Sequence, residues 1–203
     1  MEKDLKETLD KVARFYDKRK VGEVGALGFR RSTDLGTLLA CMDRMMDEGL
    51  IRPHESLFLD LGCADGRVNI FLSYLVRYSV GIEMDEWTLE EYGPLKAELE
   101  QSLEKNGLLS PRENIFLYHG DSSDDGVHER ITRETGIRFH EFDLFYTYLV
   151  MHQEFAQLIA ARAKKGAIFM VYGLHRILPL YDGLSLLTPI SPVEGVLALY
   201  QKD

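Results

Sequence analysis

Apolar and polar positions follow two rhythms along this chain, and the rhythm changes at regular intervals. Residues 2–20 mix charges with apolar positions at helical spacing and predict an amphipathic helix. A glycine-rich stretch from Gly22 to Gly28 predicts a loop. Thr33 and Asp34 are caps for a second helix that runs to about Glu48, with Gly49 as its stop. The short apolar run Leu57–Leu61, bounded by turn residues, predicts a buried strand. Helix and strand patterns then alternate: a helix over 67–76, a strand over 79–83, and a long helical pattern over 86–106 interrupted by Gly93-Pro94. A strand over 114–119 is followed by a polar turn and a short helix, a strand over 142–146, a helix over 153–163 and a strand over 167–172. Such alternation predicts a parallel sheet with helices on both faces. The end differs. Residues 185–190 and 195–201 read as strands joined by only four residues, too few for a parallel crossover, so they predict an antiparallel hairpin closing one sheet edge.

With 203 residues, 45% apolar and 28% charged, the composition is that of a soluble globular protein with length for one sizeable core. The expectation is one domain over residues 1–203, with residues 1–32 as a helical and loop extension ahead of the sheet. Lys and Arg number 24 against 33 Asp and Glu, a formal charge of −9, which disfavours a grip on phosphate backbones and hence a nucleic-acid partner. The basic runs at 18–20 and 30–31 read as solvated faces. The opening MEKDLKETLD lacks the apolar core of a secretory signal, and no stretch approaches the roughly 18–20 apolar residues of a membrane span. Cys41 and Cys63 form no CxxC pair, which suits a reducing cytoplasm better than a disulfide or thiolate zinc site. The histidines show no metal-ligand spacing, so no metal is expected, and HExxH, P-loop and GxSxG motifs do not occur.

The stretch that carries chemistry is Asp60-Leu61-Gly62-Cys63-Ala64-Asp65-Gly66-Arg67-Val68, at the first strand-to-helix turn. Small residues there let the backbone approach a ligand, and ligands of open α/β sheets bind outside the strand carboxyl ends. Glu83 ends the second strand, where an acid can accept from both hydroxyls of a ribose. After the third strand, Asp121 and Ser122 lie where a purine amino group would sit. Together these describe a nucleoside pocket. A dinucleotide fingerprint needs small residues at relative positions one, three and six. Here those are Gly62, Ala64 and Arg67, and the arginine weighs against NAD.

The stretch resembles the first motif of class I S-adenosylmethionine methyltransferases, with Asp60, Gly62, Ala64 and Gly66 at the matching positions and Ala64 replacing the usual middle glycine. Glu83 in Val80-Gly81-Ile82-Glu83 looks like that family's ribose-binding acid, and Asp121 like its adenine-contacting acid. The terminal hairpin agrees with the family's antiparallel closing strand. The resemblance, from about Thr33 to the C-terminus, implies a Rossmann-like, seven-stranded, mostly parallel sheet and S-adenosylmethionine as cofactor. Within the family, FLDLGCADGRV and the helix before it look like the Dot1-like lysine methyltransferases, whereas the segment Tyr146-Thr147-Tyr148-Leu149 departs from their Asn-Pro-Pro-type loop.

On this reading Asp60 and Gly62 face the amino-acid end of the cofactor, and Cys63, Ala64, Asp65 and Gly66 line the turn over it. Residues 29–32 would fold over the cofactor carboxylate. The methyl acceptor would meet the sulfonium after the fourth strand, beside Tyr146, Thr147, Tyr148 and His152; Tyr146 also borders the cofactor, and His152, then Tyr148, are the candidates for catalysis, with His175 a second choice. The acceptor is expected to be a small molecule or a protein. Two other readings remain open at this point: a non-catalytic binding module on the same fold, its charged first helix docking a partner, and an NAD-dependent oxidoreductase. A homodimer is a base-rate expectation.

Overall fold

A computed structural model describes residues 1–19, 21–25, 28–30, 32–174, 178–187 and 197–203, with backbone only at 21–25 and 28–30. The chain opens with helix α1 (Lys3–Asp17), a two-stranded ribbon β1 (Val21–Gly25) and β2 (Gly28–Arg30), and helix α2 (Leu35–Asp47). Then come β3 (Leu57–Leu61), α3 (Arg67–Ser73), β4 (Tyr78–Glu83), α4 (Glu86–Glu90), α5 (Tyr92–Glu104), β5 (Ile115–His119) and α6 (Asp125–Thr135). A 3-10 turn at Phe139–Glu141 leads to β6 (Leu144–Tyr148), α7 (His152–Arg162), β7 (Ile168–Tyr172), β8 (Leu184–Leu186) and β9 (Leu197–Lys202).

The seven strands β3–β9 form one sheet in the order β5-β4-β3-β6-β7-β9-β8. Neighbours from β5 to β7 are parallel, while β9 runs antiparallel to both β7 and β8. Alternate residues feed two cores. Phe58, Leu144, Tyr146, Met170 and Leu199 pack toward α1, α2, α3 and α5. Leu59, Val80, Phe145, Phe169 and Tyr200 pack toward α6 and α7. This is the period-two signature of strands buried on both faces. Chain order reverses around β3, with β4 on one side and β6 on the other, which opens a crevice at their carboxyl ends. The fold is α/β and Rossmann-like, with a mostly parallel seven-stranded sheet closed by antiparallel C-terminal strands.

Three expectations need correction. The glycine-rich stretch expected as a loop forms the β1–β2 ribbon, Val21 opposite Arg30 and Gly25 opposite Gly28. The long helix breaks at Glu91 rather than at Gly93-Pro94, because Pro94 falls in the first turn of α5, where its missing N–H costs no helical bond. The fourth parallel strand lies two residues later than expected, so Tyr146, Thr147 and Tyr148 belong to β6 and the loop begins at Leu149. Within the extension expected over residues 1–32, helix α1 buries Leu9, Val12 and Tyr16 in the core that also holds residues of α2 and α3. The expected hairpin is the β8–β9 pair, with β9 inside the sheet and β8 at its edge; the connection at 188–196 lies outside the described residues. Among the described residues no helix is long and apolar enough to cross a membrane.

Candidate functional site

The turn after β3 is built from left-handed backbone at alternate residues: φ is 143° at Gly62, 48° at Ala64 and 74° at Gly66. The Cys63 N–H reaches across to the Ile82 carbonyl of β4 at 2.9 Å, pinning the turn to the neighbouring strand. Close approach demands glycine at two places. A Cβ on Gly66 would lie 2.7 Å from Tyr92 Cδ2 and 2.9 Å from Leu117 Cδ1. One on Gly81, in the middle of β4, would lie 2.7 Å from both Cys63 Cβ and Asn69 Oδ1. The space a side chain would need at these two glycines is already filled by the side chains of Tyr92, Leu117, Cys63 and Asn69.

A cavity of about 620 Å³ opens over this turn at the carboxyl ends of β3, β4, β5 and β6. Asp60 lies at its floor, 1% exposed, and its Oδ1 has no hydrogen-bond partner among the described residues. Burial, and then the negative charges of Glu83 and Asp65, hold this carboxyl well above the usual carboxylate range. A buried acid left in that state is matched to a cationic guest. Glu83, at the end of β4, accepts from the Ala64 N–H at 2.9 Å and from the Asp85 N–H at 2.9 Å, so its carboxylate is held rigidly at the cavity wall. Across from it, Asp121 accepts from the Ser123 hydroxyl (2.7 Å) and N–H (2.8 Å), which keeps its carboxyl below the ordinary value. Ser122 and Gly120 complete that wall, with the Ser122 carbonyl accepting from His128 Nε2 at 2.8 Å. Cys63 is buried in the floor; burial first, then the carboxylates around it, push its thiol pKa up, so it is a protonated lining group and not a nucleophile.

Of the residues singled out from sequence, the cavity brings together Asp60, Gly62, Cys63, Ala64, Glu83, Asp121, Ser122, Tyr146 and Tyr148. Asp65 and Gly66 are not in its lining. Asp65 instead turns away into a buried ion pair with Arg67, Nε to Oδ1 at 3.0 Å and Nη2 to Oδ2 at 2.8 Å. His152 does not face the cavity either: its Nδ1 lies 2.6 Å from the Tyr181 hydroxyl and their rings pack at 5.8 Å. A histidine heading a helix is a candidate base in sequence; here its ring is held by the neighbouring tyrosine. Tyr148 does line the cavity, half-buried, its ring 5.5 Å from that of Tyr172. Tyr146 is fully buried, its hydroxyl is paired with that of Thr33, and burial raises its pKa, so it is a hydrogen-bonding wall and not a base. His175, Arg31 and the side chains of Phe29 and Arg30 lie outside the described residues.

Ser32, expected over the cofactor, and Thr33, expected only as a helix cap, both line the cavity as a strap, tied by Arg67 Nη1 to Ser32 Oγ (3.0 Å), by the Thr33–Tyr146 pair and, at the next residue, by the Asp34 N–H to the Tyr172 hydroxyl (3.3 Å). Asp34 and Asp17 both cap α2, accepting from Thr37, Leu35 and Gly36. Met84, Leu149, Val150 and Met151 form an apolar mouth. Leu149 and Met151 hold left-handed backbone, φ 43° and 50°, unusual for large side chains. A signal for this mouth was present in the unbroken apolar run 149–151 beside a chemical site.

No protein-family model matches the chain, and no curated protein matches it. Solved structures do. The Escherichia coli protein yhhF, assigned as a methyltransferase, is similar with a TM-score of 0.53 at 16% identity, over 89% of this chain and 91% of that one. An RNA methyltransferase from Salinibacter ruber in complex with S-adenosyl-L-homocysteine gives a TM-score of 0.45 at 18% identity, over 79% and 87% of the two chains. An rRNA methylase from Streptococcus thermophilus gives 0.45 at 16%, over 79% and 94%. At such identities the likeness is one of fold.

Proposed function

We propose that the chain is an S-adenosylmethionine-dependent methyltransferase acting on a small-molecule or protein acceptor. The observation that carries this reading is the floor of the cavity: a buried aspartate with an orphaned oxygen, set below a tight left-handed turn and flanked by two further acids. The amino-acid end of the cofactor presents an ammonium, its ribose two hydroxyls and its adenine an amino group. Asp60, Glu83 and Asp121 supply an acceptor for each, so the residues present fit the group. When bound, the cofactor supplies an electrophilic methyl on a sulfonium. The chain's own part is to bind and orient: Asp60 and Glu83 fix the two ends of the ligand, Tyr146 and Thr33 close its side, and Tyr148 with residues 149–151 present the acceptor. In-line displacement gains most from such positioning.

The surface around the cavity mouth favours an acceptor other than nucleic acid. The segments that follow β4, β5 and β6 at the mouth, residues 84–91, 119–126 and 149–154, carry eight acids and no Lys or Arg. That surface repels a phosphate backbone. The likeness to Dot1-like enzymes rests on the wording of residues 58–68 and the preceding helix alone.

Calorimetric titration of S-adenosylmethionine and S-adenosylhomocysteine into the wild type and Glu83→Ala tests the reading. The expected result is micromolar binding, about −8 kcal/mol, weakened at least tenfold by the substitution. Folded protein that binds neither ligand rules it out.

A further inference from the structure

The three cavity acids answer an ammonium, two hydroxyls and a purine amino group, and leave the carboxylate of the same ligand without a partner. Among the described residues that line the cavity, Arg67 is the one cation. It is 3% exposed and locked in orientation: the Asp65 carboxylate takes Nε and Nη2, and the guanidinium lies over the Tyr16 ring at 5.4 Å. Nη1 donates to Ser32 Oγ at 3.0 Å and to the Tyr16 carbonyl at 3.4 Å. A guanidinium carries five N–H donors, so one Nη2–H remains, and Ser32, which accepts from Nη1, keeps its own O–H to donate. Both residues line the cavity beside the turn that begins at Asp60. Among the described residues, the charged groups that act on Asp60 are two acids, Glu83 and Asp65. Among the described residues, Asp60 at the start of the turn is an acid without a cation, and Arg67 at its end is a cation with a donor to spare. That is the complement of a zwitterion.

Resting on the cofactor reading above, we propose that Arg67 and Ser32 together receive the α-carboxylate of the cofactor, opposite the α-ammonium on Asp60. Asp65 is then a positioning residue, holding the guanidinium plane toward the cavity as a second carboxylate arrives. Because Arg67 also bonds the Tyr16 carbonyl, the last turn of α1 backs the site directly. The amino-acid end, not adenosine alone, sets ligand preference.

The test compares S-adenosylhomocysteine with 5′-methylthioadenosine, which keeps the nucleoside and thioether but has neither carboxylate nor ammonium. Both are titrated into wild type, Ser32→Ala and Arg67→Lys, with thermal denaturation to establish folding. Wild type should prefer S-adenosylhomocysteine by about a hundredfold, since hydrogen bonds to charged groups each contribute roughly tenfold or more. Arg67→Lys should lose about tenfold for S-adenosylhomocysteine, and Ser32→Ala about threefold, with the methylthioadenosine affinity unchanged in both. Ser32→Ala removes no ion pair and remains informative if the Arg67 variant does not fold. Equal wild-type affinity for the two ligands, or equal loss for both in the folded variants, overturns the inference while leaving the cofactor reading intact. Wild type that binds neither ligand overturns the cofactor reading, and this inference with it.

Discussion

Asp60 is destabilising until something positive arrives, because a carboxylate sealed from water with an orphaned oxygen has lost its hydration without replacement. Its carboxyl titrates higher in the folded chain than the roughly 3.9 of an unfolded one. The folded state therefore holds the extra proton between those values: the group's contribution to stability is full below about pH 4 and is lost as pH rises through the folded value. Asp60→Asn should raise the stability of the free protein at pH 7 by about 1 kcal/mol and flatten that decline, read from denaturant melts across pH. Ligand binding runs the other way. An ammonium favours the ionised acid, so wild-type affinity for S-adenosylhomocysteine should rise with pH over the same window, with proton release visible in buffers of different ionisation enthalpy; affinity that falls as pH rises counts against the assignment. Ala64 offers a second check. Its φ of 48° strains any side chain, so Ala64→Gly should stabilise by about 1 kcal/mol, an increase in Tm of roughly 2–4 °C.

At the scale of elements, Gly81 shows how a strand shapes the turn packed against it. The Cβ introduced by Gly81→Ala would press on Cys63 Cβ from below, so this change in the middle of β4 should destabilise by about 1–3 kcal/mol and weaken S-adenosylhomocysteine binding, measured by melts and calorimetry. Unchanged affinity in a folded variant would mean that the turn is not the binding element. The order and type of the main elements were legible because apolar runs such as Leu57–Leu61 and Ile168–Tyr172 are bounded by turn residues. Ends were less so. Phe142 is buried and apolar yet precedes β6, which blurred the start of the strand and moved Tyr146–Tyr148 into a supposed loop. The strands of the β1–β2 ribbon hold three glycines, Gly22, Gly25 and Gly28, and leave no two-residue rhythm to read. In the site, acids at strand ends were legible from spacing alone. The inward or outward turn of Asp65 and His152 was not, because it depends on Arg67 and Tyr181, partners whose approach only the folded chain fixes.

At the scale of the molecule, the first helix is structural. Leu9, Val12 and Tyr16 each contribute about 1.5–3 kcal/mol by burial, together comparable with the roughly 5–15 kcal/mol that holds a whole domain. Deleting residues 1–17 should therefore abolish cooperative thermal unfolding, followed by circular dichroism or calorimetry; a truncated chain that melts like the full one would make α1 the detachable docking arm its charge pattern suggests. The reason it reads as detachable is that α1 is heavily charged on its outer face, and sequence does not say what the narrow apolar face meets.

The strap at residues 32–34 also imposes an order in time. Its anchors on β6 and β7 lie far along the chain, 113 residues from Thr33 to Tyr146 and 138 from Asp34 to Tyr172. During synthesis at about 5–20 residues per second, the strap waits on the order of ten seconds for its last anchor to be made. Even then β7 lacks its neighbour β9, the final strand of the chain. A nascent chain thus carries the glycine turn, Glu83 and the floor aspartate long before the strap can close beside them, because Tyr146 and Tyr172 must first emerge.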